Sequence, residues 1–320
     1  MAEATLVKDA NANTVDTTAW KALTSGEVVQ LPDGRAGVVL GLAGAATGDP
    51  VTLLVAGQVR LAKTADVAVL NGDAIRWDRS ANTATPLNAI ADADFLVGVA
   101  IADAEAADDV VVVELNAKPV YQIDVFRDRS DSVIVKTAGT PAVTWTPGCV
   151  TLALSATDEI QKVDVLSAAA IPVGVPFIAE GRVAAFDIGD DAALDFNIGV
   201  ANGTHASDAD SITESVFFHL DGSALDIKAE SDDGTTEVAA TDTTVDAVDD
   251  TFFDFRIDAR DLSDIKLYIN GARVLSAKTF KLDKATGPFK LLVHVEKSAN
   301  DTPGDFRVAH LAIRTLDAAA

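Results

Sequence analysis

Apolar residues come in short runs along this chain, and turn-forming residues separate them. From residue 27 onward the pattern predicts strand after strand. Residues 27–31 lead into Pro32-Asp33-Gly34, where Pro presets φ and Gly accepts a positive one, and residues 36–40 return as the second strand. A Gly-rich stretch and Asp49-Pro50 precede further strands at 51–55, 58–61, 73–77, 95–102 and 110–115, spaced as in a small barrel or sandwich. The last two are near-continuous apolar runs, which predicts cover on both faces.

Residues 1–25 have little periodicity and read as a flexible arm with one aromatic, Trp20. Residues 26–117 form the first β domain, and residues 118–170 a β linker segment, a small subdomain or the opening strands of the next domain, with strands at 120–126, 132–135, 149–154 and 160–165. The rest, 171–320, predicts an antiparallel sandwich with strands at 177–188, 194–200, 215–220, 225–229, 251–257, 265–269, 272–275, 289–295 and 306–315. Phe253-Asp254-Phe255-Arg256-Ile257 alternates strictly, so one face is expected buried and one wet. The Asn270-Gly271 pair predicts a type I′ hairpin, since that turn needs positive φ twice. No stretch offers an amphipathic helix of three turns; 208–214 and 258–264 offer single helical turns. The fold class is all-β, with two domains in 320 residues.

Charge adds a second layer. Lys+Arg number 25 against 49 Asp+Glu, a net charge of −24, and 39 of the acids are Asp. Asp suits turns, where it bonds nearby backbone, so the skew fits a loop-rich β protein. The acidity fits a halophilic protein, whose self-repulsion salt screens, or an acidic surface protein of a GC-rich genome. It disfavours direct binding to nucleic acid. Cys149 is the single cysteine, which excludes an intrachain disulfide and a thiolate metal site. No apolar run predicts a membrane span or a secretory signal.

Gly72-Asp73-Ala74-Ile75-Arg76-Trp77-Asp78 is followed by Phe95-Leu96-Val97-Gly98-Val99-Ala100 and then by the valine run before Leu115. With Leu31-Pro32-Asp33-Gly34-Arg35 and Val38, these motifs resemble the capsid-decoration family of tailed phages, over residues 25–116. That resemblance implies a β-barrel-like domain on the surface of an icosahedral head, commonly as a trimer, that cements neighbouring capsomers. The major capsid protein is then the partner, and the virion surface the location after synthesis in the host cytoplasm. The run from Phe253 through Asp261-Leu262-Ser263-Asp264 to Asn270-Gly271 is similar to concanavalin-like jelly-roll sandwiches, a likeness of fold pattern that carries no sugar-binding residue across.

Candidate chemistry is sparse. A retaining glycosidase needs two carboxyls about 5 Å apart, typically on alternating strand positions. Glu180, Glu214, Glu230, Glu237 and Glu296 never alternate, so no catalytic residue is assigned and an enzyme is not expected. Asp187, Asp190, Asp191 and Asp195 cluster around a turn and offer hard oxygen ligands to calcium, the one cofactor considered. Asp246, Asp249, Asp250 and Asp254 form another cluster. In so Asp-rich a chain, solvated acidic loops are the commoner origin of both. His205, His219, His294 and His310 form no HxH or HxxxH pair; His219 and His294 fall in strands, as packed or cross-strand partners. Trp77 is expected in the first domain's core or an interface. The sequence thus points to a virion structural protein, with a carbohydrate-binding lectin-like module as the rival.

Overall fold

The computed structural model describes residues 4–41, 43–87, 94–125, 131–186, 194–204, 208–221 and 225–315. The chain divides into two compact units, Met1–Val120 and Tyr121–Ala320.

The first unit is one curled antiparallel sheet. It contains β1 (Ala4–Thr18), β2 (Val28–Gln30), β3 (Ala36–Leu40), β4 (Pro50–Ala62), β5 (Ala74–Asp78), β6 (Thr83–Thr85), β7 (Phe95–Ala100) and β8 (Val110–Leu115). The strand order is β2-β3-β4-β8-β7-β5-β6, with β1 also on β4. The sheet closes on itself where Lys63 bridges Ala84 and the Thr64 amide donates to Ala84 O at 2.9 Å. Trp77, Ile75, Val97, Val113 and Leu61 fill the interior, and Trp77 is 1% exposed.

Strand β4 is the spine of this unit. It pairs with β3 over Thr52–Leu54 and with β8 over Gln58–Ala62. The hand-over falls at Gly57, whose φ of 111° only glycine adopts comfortably. Asn116 seals the junction. Its Nδ2 donates to Ala36 O (2.9 Å) and Val55 O (2.8 Å), while its Oδ1 accepts from the Ala36 amide (2.8 Å). Asn116 sits at φ 58°, a left-handed conformation that Asn tolerates better than most residues.

Three expectations change here. Residues 4–18 are strand β1, paired along β4 with shifts in register, and so are not an unpaired arm. Their polar, small side chains hide the strand from any periodicity test, because main-chain pairing defines it. The stretches 51–55 and 58–61 are one strand, β4. Strand β8 alternates half-buried and buried positions, so its valine run is only half covered on one face.

The second unit is a two-sheet sandwich. Its strands are β9 (Ile123–Asp124), β10 (Ser132–Ala138), β11 (Ala142–Thr146), β12 (Cys149–Leu154), β13 (Glu159–Ser167), β14 (Phe177–Phe186), β15 (Leu194–Ala201), β16 (Glu214–Asp221), β17 (Asp226–Asp233), β18 (Glu237–Asp246), β19 (Phe253–Ala259), β20 (Lys266–Ile269), β21 (Ala272–Val274), β22 (Lys290–Asn300) and β23 (Gly304–Thr315). One sheet runs β10-β13-β22-β15-β16-β17-β18; the other runs β11-β12-β23-β14-β19-β20-β21, with β9 also on β23. Both bury one continuous core, including Phe177, Phe196, Phe218, Phe255, Phe289 and Phe306. Phe196 and Phe306 stack across it at 5.0 Å. Strands β9 to β13 belong to these two sheets, so residues 121–167 open the sandwich and form no separate subdomain. Asn270 and Gly271 have φ of 48° and 78°, the two positive values of the expected turn. The expected helical turn at 208–214 is a single 3-10 turn, Ala209–Ser211.

Strand β19 departs from the expected wet face. All seven of its residues are buried. Its polar positions face partners: Asp254 lies 3.1 Å from Arg182, and Asp258 lies 2.8 Å from Arg260. Alternation of residue type identified the two faces correctly, but packed charges cover the polar one.

Two lysines act as internal clips. Lys297 is 0% exposed, and its Nζ donates to the carbonyls of Ser155, Thr157, Asn300 and Thr302, tying the β12–β13 turn to the β22–β23 turn. In the first unit, Lys63 Nζ donates to Thr64 O, Val67 O and Ala106 O. Replacing Lys297 with Met keeps the stem and takes away the donor shared by four carbonyls around a buried position. Each unsatisfied group costs about 1–3 kcal/mol, so Lys297→Met is expected to destabilise the sandwich by at least about 2 kcal/mol in urea unfolding. An unchanged midpoint rules the clip out.

Candidate functional site

Alternation along β15 sends Phe196, Ile198 and Val200 into the core and Asp195 and Asn197 to the opposite face of the seven-stranded sheet. That opposite face carries two polar rungs. Asp164, His294, Asn197 and His219 lie side by side across β13, β22, β15 and β16. One step along the strands, Lys162, Glu296 and Asp195 repeat the arrangement. A polar face this regular would normally be wet, yet Asn197 and His294 are 0% exposed.

The loop between β15 and β16 supplies part of the cover. Ala209 and Ile212 pack on Leu166, Ala201, Phe217 and Leu292, a small apolar cluster on the same face. Asp208 caps the 3-10 turn by accepting from the Asp210 amide at 3.0 Å. This brings Asp210 over the sheet, where its Oδ1 accepts from Asn197 Nδ2. His219 lies between two carboxylates: Nε2 is 2.7 Å from Asp195 and Nδ1 is 3.3 Å from Asp210. Glu230, from β17, stands 3.5 Å from Asn197 Nδ2.

Burial and charge oppose each other at these groups. Burial by itself lowers the His219 pKa, but Asp195, Asp210 and Glu230 raise it to about 9. Burial raises Glu230, and the Asp210 carboxyl beside it raises it further, to about 9, so Glu230 is a neutral acid at pH 7. Asp195 is also raised, chiefly by burial. At His294 burial again pulls down, while Asp164 (2.7 Å) and Glu296 (3.0 Å) outweigh it and hold the pKa at about 9.

The other sheet has its own buried charge cluster. Glu180 accepts from Tyr121 Oη at 2.8 Å and faces His310 and Arg314. Burial alone would raise its carboxyl; His310, Arg314 and Arg256 hold it well below the usual range. Glu214 is a loop clasp, accepting from the amides of Thr286 and Gly287 and from Asn202 Nδ2.

Of the four expected calcium ligands, Asp187, Asp190 and Asp191 lie outside the described residues. Asp195 is brought together with other groups, Asp210 and His219 on one side and Asp208 and Glu296 on the other. In the second cluster, Asp254 is committed to Arg182, while Asp246, Asp249 and Asp250 lie exposed at the end of β18 and in the turn that follows. His219 and His294 are cross-strand partners, as their strand positions predicted; His205 lies outside the described residues. Spacing could not reveal the Asp195–Asp210–His219 group, because a loop brings Asp210 back over its own sheet.

The first unit offers a different feature, a surface cavity of about 240 Å³ lined by Trp20, Lys21, Glu27, Gln30, Trp77 and Arg79. Trp20 is 43% exposed at its rim. The family model for phage cement proteins matches residues 7–115, nearly the whole of this unit.

The match covers about a third of the chain and supports a phage capsid-decoration domain in the first unit.

The likeness to phage cement proteins supports capsid decoration. No curated protein sequence matches the chain. Solved structures similar to it include the Emp46p carbohydrate recognition domain, with 13% identity over 59% of this chain and 90% of that one and a TM-score of 0.43. The Lotus tetragonolobus seed lectin has 14% identity over 60% and 95%, at 0.43. LamAcat from Zobellia galactanivorans has 12% identity over 53% and 79%, at 0.40. Likenesses this remote carry no ligand or activity to this chain. Among the described residues, no helix is long and apolar enough to cross a membrane.

The raised histidine predicts a pH dependence. His294 has a folded pKa near 9 against 6.5 for an ordinary histidine, so its contribution is complete below pH 6.5 and disappears as pH rises through 9. Stability of the sandwich in urea is expected to fall between these values, by on the order of 1 kcal/mol per pH unit for this group. His294→Gln should flatten that slope; an equal slope in the variant contradicts the assignment.

Proposed function

We propose that this chain is a head-decoration protein of a tailed virus: its cement domain attaches to the major capsid protein, and its sandwich projects from the particle surface. The observation that carries this reading is the agreement between the cement-family match at 7–115 and the compact unit Met1–Val120. The attachment surface includes the Trp20 cavity. Trp and Arg are enriched where interfaces are strongest, and here a half-exposed Trp20 stands beside Arg79 and Lys21 in a chain short of cations. The chain works as a homotrimer without catalysis, and it binds neither nucleic acid nor membrane. Its net charge of −24 keeps decorated particles apart and suits a saline environment.

Purified protein added to heads that lack it should bind saturably and raise the temperature at which the shells rupture. Trp20→Ala should weaken binding by more than about tenfold, the loss of one interface hot spot. Heads that take up none of the protein overturn the proposal. Light scattering in high salt is expected to give three chains per particle, and unfolding midpoints should rise with salt as self-repulsion is screened. A glycan array with the whole chain tests the lectin-like rival; competable sugar binding, with no uptake by heads, replaces decoration with adhesion.

A further inference from the structure

Three donor atoms from two strands and one loop converge on the polar face of the seven-stranded sheet. One carboxylate oxygen each of Asp195 and Asp210 and one ring nitrogen of His219 lie within 4.8 Å of one another. An ion held about 2.0–2.2 Å from each donor fits such a set. The group is more than an acidic patch, because His219 is 8% exposed and the sheet below it is closed.

Unmet hydrogen-bonding capacity converges on the same place. Asn197, at 0% exposure, turns its amide to Asp210, and its Oδ1 has no hydrogen-bond partner. His219 Nδ1 and Asp195 Oδ1 approach carboxylate and imidazole closely, yet neither contact is aligned as a hydrogen bond. A buried acceptor without a partner costs about 1–3 kcal/mol, so the Asn197 oxygen leaves room for a donor here. His219 stands at ion-pair distance from both carboxylates, Asp195 and Asp210.

We propose that Asp195, Asp210 and His219 bind a divalent transition-metal cation that displaces the imidazole proton to solvent, with Asn197 Oδ1 accepting from a metal-bound water. The donor set selects the ion class. Carboxylates suit manganese and calcium alike, but imidazole is a ligand of transition ions, whereas calcium takes six to eight oxygens. Two ligands lie on adjacent strands and the third on the 3-10 turn, so the ion fastens the Ala209–Ser211 turn to the sheet. The proposal concerns the sandwich alone and is independent of capsid attachment.

The test uses the full chain, stripped with a chelator and titrated with Mn2+ under electron paramagnetic resonance. The aqueous Mn2+ signal should disappear saturably, with one ion per chain, and pulsed spectra should show coupling to an imidazole nitrogen. His219→Gln should abolish that coupling. Asp195→Asn should weaken binding by more than the roughly 10–100-fold that even an outer-shell partner costs. Asp249→Asn, an exposed acid elsewhere, should leave binding unchanged. Mn2+ should raise the melting temperature of the wild type and leave that of Asp195→Asn unmoved. Should Asp195→Asn fail to fold, the nitrogen coupling and its loss in His219→Gln decide the matter. A non-saturating signal loss that salt abolishes equally in all variants means a diffuse cloud around an acidic surface, and overturns the site. So does displacement of Mn2+ by Ca2+ with no nitrogen coupling at any stage.

Discussion

Scarcity of positive charge governs this molecule. With 25 basic residues against 49 acidic ones, every cation taken into the interior is withdrawn from a surface already in deficit. The structure nevertheless buries Lys63, Lys297, Arg256 and Arg314. Each occupies a place where no neutral group could do the same work. The two lysines gather carbonyls that turns leave without partners, and the arginines face Glu180 on a sheet that would otherwise bury an isolated carboxylate. Removing one partner from such a set costs far more than the set itself contributes, because the group left behind stays desolvated.

The same scarcity explains the polar face of the seven-stranded sheet. Loop and strands bring several carboxyls together with two histidines, and the groups settle their charge by holding protons. Glu230 becomes a neutral acid and His294 an imidazolium, each against its ordinary habit at neutral pH. A sandwich usually leaves its outer faces to water. Here the β15–β16 loop folds back over one of them, fixed by Ala209 and Ile212, and converts an ordinary solvated row into an interior.

Much of this architecture was legible in the residues. Gly34, Asn270 and Gly271 announced their turns because the required positive φ leaves little choice of residue. The apolar runs located most strands to within a few positions, and the ordered motifs between Gly72 and Leu115 marked the stretch that matches phage cement proteins. What stayed hidden has a common cause. Strand β1 is specified by main-chain pairing to β4, and Thr, Ala and Asn do not show it. The buried face of β19 looked wet because Asp and Arg alternate there, and their partners lie on β14 and in the turn after β19. The join between the β9–β13 stretch and the sandwich depends on long-range pairing with β22 and β23 that no local pattern records. Asp195 was picked out as an acid near a turn, but its companions Asp210 and His219 reach it only through the fold.

The ammonium of Lys297 sits in something close to a coordination shell, four carbonyl oxygens converging on one charge. Such a shell is indifferent to the medium in a way that surface ion pairs are not. At about 1 M salt the screening length is about 3 Å, and exposed pairs such as Arg35 with Asp33 are weakened. No mobile ion enters the Lys297 shell, so concentrated brine leaves it intact while softening the repulsion outside. The two turns it holds are therefore anchored most firmly, relative to the rest of the surface, under the conditions that weaken ordinary electrostatics.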